Sequence, residues 1–146
     1  LTKMAALVMA FTAGLLMSIQ PAINAGLGRR IGVFESALIS FLVGTSALVV
    51  IVIFLGKGNL AEVRNVPWYY LTGGLMGVFV VTTMILIIPK LGSGVGAITL
   101  LSAQMLMAMI IDHYGLLGVA QTPIGPNRIV GIVLLFISMR FIIGKF

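Results

Sequence analysis

The chain has 146 residues, 60% of them hydrophobic and only 8% charged, with nine Lys and Arg, three acidic residues and no cysteine. Soluble domains carry about 25% charged and about 45–50% apolar residues, so this chain cannot cover a water-facing surface. A soluble enzyme, a disordered tail and a disulfide scaffold are excluded, and an all-α integral membrane protein in contact with the lipid bilayer is expected. The net charge of +6 comes from basic residues set singly or in pairs between apolar runs. That is the placement of membrane-flanking anchors, so no nucleic-acid partner is expected.

Uncharged runs predict five spans in a single domain over residues 1–146, at about 4–25, 33–55, 67–88, 92–111 and 126–144. A run of about 21 residues rises about 32 Å as a helix, enough for a hydrocarbon core of about 30 Å. Only a helix satisfies its own backbone over that depth, and the alternation of a β-barrel is missing. The first run is longer than the apolar core of a signal peptide, and Ala22-Ile23-Asn24-Ala25 is a poor cleavage site, so a retained span is expected.

Span one ends with Gln20, Pro21 and Asn24. The two amides are four residues apart, on one helical face, and the proline frees a backbone carbonyl beside them. Two roles suit them: lining a cavity for a polar solute, or bonding a neighbouring helix. Gly26-Leu27-Gly28-Arg29-Arg30 reads as the first loop.

Span two sets Ser36, Ser40 and Gly44 at spacing four, a stripe suited to close helix packing, with Phe41 and Thr45 beside it as candidates to line a cavity. Glu35 falls at the start of this helix, where the dipole favours its charge. Gly56-Lys57-Gly58-Asn59 then opens a longer loop.

Span three opens with Pro67-Trp68-Tyr69-Tyr70. Proline suits a first helical turn, and the aromatic residues suit the membrane interface. Gly73 and Gly77 form a GxxxG packing pair. Pro89-Lys90-Leu91-Gly92 reads as a very tight loop joining spans three and four into a hairpin.

Gly92, Gly94 and Gly96 follow an apolar helix and have no acidic partner at the distance a nucleotide site needs. Gln104 is the most interior polar side chain of span four, and an amide at that depth needs a partner. The span ends in Asp112 and His113, a carboxylate at a helix C-terminus beside the chain's one histidine. A proton or cation gate and an ion pair from Asp112 to Arg128 are the two roles open to them. In span five, Arg128 and Arg140 leave eleven uncharged residues between them, so both must snorkel or face protein. No catalytic triad or metal-ligand cluster can be assembled, so neither enzyme activity, cofactor nor metal is expected.

Five spans place Lys3, Lys57, Arg64 and Arg128 on one side of the membrane, and Arg29, Arg30, Lys90, Arg140 and Lys145 on the other. Four against five gives the positive-inside rule almost nothing to act on, which favours insertion in both orientations over a partner-directed one. A chain with an odd span number can then pair with an inverted copy of itself, as inverted-repeat transporters do within one chain.

Taken in order, Ile19-Gln20-Pro21 through Asn24, Leu27-Gly28-Arg29-Arg30, Ser40-Phe41-Leu42-Val43-Gly44-Thr45, Pro67-Trp68-Tyr69, Gly73-Gly74-Leu75-Met76-Gly77, Gln104 and Asp112-His113-Tyr114-Gly115 resemble the YdcZ-like family of small membrane proteins. The resemblance covers nearly the whole chain. It implies a half-size, five-span member of the drug/metabolite transporter superfamily, an exporter of the prokaryotic inner membrane that assembles as an antiparallel dimer. One position departs from the family pattern: Ala103 stands where a glycine usually precedes the span-four glutamine. The membrane-embedded glutamate that small multidrug exporters of the superfamily carry in their first span is also missing here, where span one has only Gln20.

The function expected is therefore alternating-access transport of a small organic solute by an antiparallel homodimer. Gln20, Asn24, Phe41, Trp68 and Gln104 are expected to line the cavity. Asp112, His113 and Glu35 are the gating or coupling candidates, and Ser36, Ser40, Gly44, Gly73 and Gly77 pack helices. With no acid at any span centre, a neutral or zwitterionic solute fits better than a strong cation. A passive dual-topology pore and a non-transporting subunit of a membrane complex are the alternatives.

Overall fold

A computed structural model describes residues 2–144, so Lys145, counted above among the membrane-flanking charges, lies outside the described residues. The described chain is mostly helical, with its long helices in the order α1 (Lys3–Ile31), α2 (Val33–Leu55), α3 (Gly73–Tyr114) and α4 (Pro126–Ile143). All four are long and apolar enough to cross a membrane. Five spans were expected, and the difference lies in α3. Its 42 residues hold most of expected span three and all of expected span four, with Gly92 (φ 78°, ψ 161°) as a non-helical residue inside it. A continuous helix of that length would rise about 63 Å, twice what one crossing needs.

The chain divides into two compact units, Leu1–Lys90 and Leu91–Phe146. In the first, α1 begins on the hydroxyl of Thr2, which accepts the Ala5 N–H at 3.2 Å. The helix carries Pro21 inside it and runs to Ile31, through the residues expected to form the first loop. In lipid an unpaired backbone group costs several kcal/mol, which outweighs the weak helix propensity of Gly26 and Gly28. The reversal is made by Gly32 alone, at φ 107° and ψ 155°, a conformation that side chains rarely adopt. A Cβ there would also lie 2.1 Å from Oε2 of Glu35, whose carboxylate folds back over the start of its own helix. α2 then occupies the span expected, Val33–Leu55.

After α2, Asn59 accepts the Ala61 N–H at 3.0 Å and starts a 3-10 segment, Leu60–Asn65. The expected helical start at Pro67 is instead a second 3-10 segment, Trp68–Thr72, for which Pro67 is the cap, and α3 proper begins at Gly73. Pro89 sits inside α3, so the expected loop around it reduces to Gly92.

The second unit holds the rest of α3, which continues past Ile111 to Tyr114, and α4. Between them the chain turns through left-handed residues Gly115, Leu117 and Gly118. The turn is tied to the end of α3, where Thr122 N–H donates to the Asp112 carbonyl at 2.7 Å and Gln121 Nε2 donates to the His113 carbonyl at 3.0 Å. These bonds satisfy carbonyls that a helix end leaves without partners.

The most fully buried residues include Asn24, Ala25, Ser36, Ala37, Met84 and Ile85. They are small or polar for the most part, while Leu, Ile, Val and Phe side chains stand exposed along every helix. Lipid is as apolar as leucine, so helices in a membrane associate through small side chains and hydrogen bonds.

Candidate functional site

α1 and α2 meet along two stripes. Gln20, Asn24 and Gly28 recur every four residues on α1, and Ser36, Ser40 and Gly44 do so on α2. At the turn end, Gly28 lets the helices approach closely. A Cβ on it would lie 3.7 Å from the Ser36 Cβ and 2.7 Å from Cγ2 of Ile85 on α3. One turn further, the Ser36 hydroxyl, fully buried, donates to the Asn24 carbonyl at 2.8 Å. The Asn24 side-chain amide, itself 6% exposed, donates to the Ser40 hydroxyl at 3.2 Å.

Beyond this polar node the helices part around a cavity of about 230 Å³. Gln20, Ser40, Phe41, Gly44, Thr45 and Val81 are among its lining residues, so its wall combines an amide, two hydroxyls and an aromatic ring. α3 also reaches the Phe41 ring, where a Cβ on Gly77 would lie 3.4 Å from Cζ. Gln20 also borders a shallow groove along α1, with Met17, Ile23 and Asn24. Pro21 has no N–H to offer the Met17 carbonyl one turn back, so that groove has a backbone acceptor free of its helical partner. The arrangement can present donors and acceptors to a small polar molecule and an aromatic face to its apolar part.

The remaining candidates lie elsewhere. Trp68 is 76% exposed and meets Tyr69 edge to face at 6.3 Å between ring centres. Gln104 is exposed in the second unit and borders neither the cavity nor the groove of the first. Glu35 is exposed beside Gly32. A Cβ on Gly44 or Gly73 would meet nothing within 4 Å.

Asp112 is half-buried and forms an ion pair with Nη1 of Arg128 at 3.3 Å. Nδ1 of His113 accepts the Ile124 N–H at 3.3 Å. Arg140 donates to the Gly144 carbonyl at the other end of α4. Among the described residues, no group of three or more His, Cys, Asp or Glu side chains could hold a metal ion.

Gly28, read as part of a loop, is the residue of this helix contact that the sequence reading missed, and Ser40 and Gly44, read as packing residues, also line the cavity. The signal for Gly28 is its place in the Gln20–Asn24 stripe. No curated protein and no solved structure matches the chain. A family model described as "Putative inner membrane exporter, YdcZ" matches residues 5–141, nearly the whole chain. The chain belongs to this YdcZ family of inner-membrane exporters, as its order of motifs implies.

Proposed function

We propose that the protein exports a small neutral or zwitterionic organic solute by alternating access, as an antiparallel homodimer. The observation that carries this reading is the cavity of Gln20, Ser40, Phe41 and Thr45, which sets polar groups within the apolar length of α1 and α2. Polar side chains at that depth are costly unless they meet another helix or a solute. The node of Asn24 and Ser36 satisfies itself, whereas Gln20 opens on empty space.

In this reading the chain crosses the membrane five times, the two parts of α3 on either side of Gly92 each making one crossing. An odd number gives the termini opposite sides, and the near-equal basic charge on the two sides allows both orientations. Two oppositely inserted copies then supply the inverted halves that alternate around a midplane site. Trp68 and Gln104 complete the cavity from the partner copy's side. Because α1 carries no acidic residue, any coupling proton or cation is handled by Glu35, Asp112 or His113.

The test compares small solutes in the medium of cells producing the wild-type protein and the Gln20→Leu variant at equal membrane abundance. One solute or a narrow class enriched outside wild-type cells alone is expected. Indistinguishable media, with both proteins in the membrane, would overturn the export reading.

A further inference from the structure

The second unit holds a cavity of a different kind. About 500 Å³ lies between the last turns of α3 and the first half of α4, within the roughly 300–1,000 Å³ of sites that enclose small ligands. Leu101, Met105, Met109, Ile132 and Leu135 form apolar walls, and Gly131 leaves room between them. The charged groups among its lining residues are Asp112 and Arg128. They come from the C-terminal end of α3 and the first turn of α4, the depth at which a spanning helix meets the headgroup layer.

The ion pair is loosely made. It uses one guanidinium nitrogen at 3.3 Å, and the Arg128 and Asp112 side chains are 39% and 35% exposed. A guanidinium carries several further N–H donors, and a carboxylate has lone pairs to spare. Both groups can therefore accept a ligand without first losing each other.

We propose that this cavity binds a single-chain zwitterionic amphiphile drawn from the bilayer. Its ammonium sits on Asp112, its phosphate on Arg128, and its alkyl tail lies along the Met105, Met109 and Leu135 wall. Charge complementarity selects the head. An anionic head on Arg128 alone leaves Asp112 facing a like charge, and a cationic head on Asp112 does the same to Arg128. A head with both charges satisfies both side chains and leaves neither partly desolvated and unpaired. The unbranched methionine side chains adapt to a flexible tail. This inference does not rest on the export reading, because it concerns amphiphile binding in the second unit and is read by labelling rather than by transport.

The experiment uses the whole protein in nanodiscs and three photoreactive probes of equal chain length. These are a lauroyl lysophosphatidylethanolamine, a laurate and a laurylamine, each with a diazirine on the tail. The zwitterionic probe is expected to label peptides containing Met105, Met109 or Leu135 about fivefold more than either singly charged probe, the scale of a half-exposed charge contact. Asp112→Asn should cut zwitterion labelling to the level of laurate, and Arg128→Gln to that of laurylamine. Gly131→Leu, which fills the cavity, should remove labelling by all three.

Equal labelling by the three heads in the wild type would overturn the proposal, as would zwitterion labelling indifferent to both charge variants. So would no labelling at these peptides combined with disulfide capture of Gly131→Cys by a second copy, which would show the cavity covered by protein. Thermal unfolding of each variant in the same nanodiscs establishes that it is folded.

Discussion

Asn24 and Ser40 stand eight residues to either side of Gly32 and are joined by a 3.2 Å hydrogen bond. Gly28 and Ser36, four residues to either side, are in register too, and so are Gln20 and Gly44 at twelve. One glycine turn therefore sets the pairing of both stripes. The cavity begins beyond the Asn24–Ser40 pair, where Gln20 and Gly44 face each other and a Cβ on Gly44 would meet nothing within 4 Å. A double-mutant cycle measures the central pair. Asn24→Ala and Ser40→Ala should show a coupling of about 0.6 kcal/mol in unfolding from detergent micelles, the average for interhelical hydrogen bonds in membranes. Strict additivity would mean that the bond contributes nothing to holding α1 on α2.

Gly32 carries two separate constraints, its backbone conformation and the Glu35 carboxylate over it. Gly32→Ala should cost about 1–3 kcal/mol of stability, the range for a residue forced into a sparsely populated conformation plus its clash. Adding Glu35→Ala should recover the part due to the clash and leave the part due to φ. Complete recovery in unfolding assays would show that the backbone conformation costs nothing, contrary to this account.

The same logic applies between α1 and α3. Gly28→Ala puts a methyl group against Cγ2 of Ile85, a β-branched atom that cannot swing aside without changing rotamer. A loss of about 1–3 kcal/mol is expected from overpacking. Ile85→Ala removes the opposing atom, so the double variant should be less unstable than the sum of the single ones. Additive losses would place the two residues out of contact.

How far the sequence discloses all this differs from helix to helix. α2 is bounded by a glycine at each end, with no charge beyond Glu35 in its first turn, and its limits can be read directly. α4 begins on Pro126, the best residue for a first helical position, and is equally plain. α1 misleads because glycine and arginine signal turns in water, whereas near lipid the helix continues through Gly26 and Gly28 to Ile31. In α3 the glycine signal is narrower than expected: helical residues run through Pro89, and Gly92 alone departs from helical geometry. Reading residues 26–30 as a loop cuts the α1 stripe short at Asn24 and hides Gly28, the residue that lets Ile85 and α2 come close. Gln20 and Phe41 are legible as cavity residues because a polar group and a ring stand out in apolar runs. Their meeting at one cavity depends on the Gly32 register, which no local pattern reveals.

Dual insertion is tested through the natural lack of cysteine. Asn59→Cys, in the segment between α2 and α3, gives a single reactive thiol. A membrane-impermeant maleimide should label about half of it in intact cells if basic charge sets orientation, because the two sides differ by only one residue. The remainder should react after permeabilisation. Labelling of nearly all or nearly none from outside would fix one orientation, and the inverted half would have to come from another chain.

Gln104 provides the sharpest test of whether one copy or two build the solute site. It lies within the apolar length of α3 and is exposed on the isolated chain. An amide facing hydrocarbon without a partner costs several kcal/mol by alkane transfer, and less where water or lipid headgroups reach it. The group therefore needs a partner, and an antiparallel copy of the chain is the one the proposed function supplies. If it lies in the shared cavity of that antiparallel pair, Gln104→Leu should abolish export as fully as Gln20→Leu, although the two residues belong to different compact units. Crosslinking should still recover the dimer, because a leucine packs against lipid or a neighbouring helix at no polar cost. Loss of the dimer together with export would make Gln104 an assembly contact. Unchanged export by a Gln104→Leu dimer would remove it from the cavity and leave the Gln20 site to be completed by α1, α2 and the first part of α3.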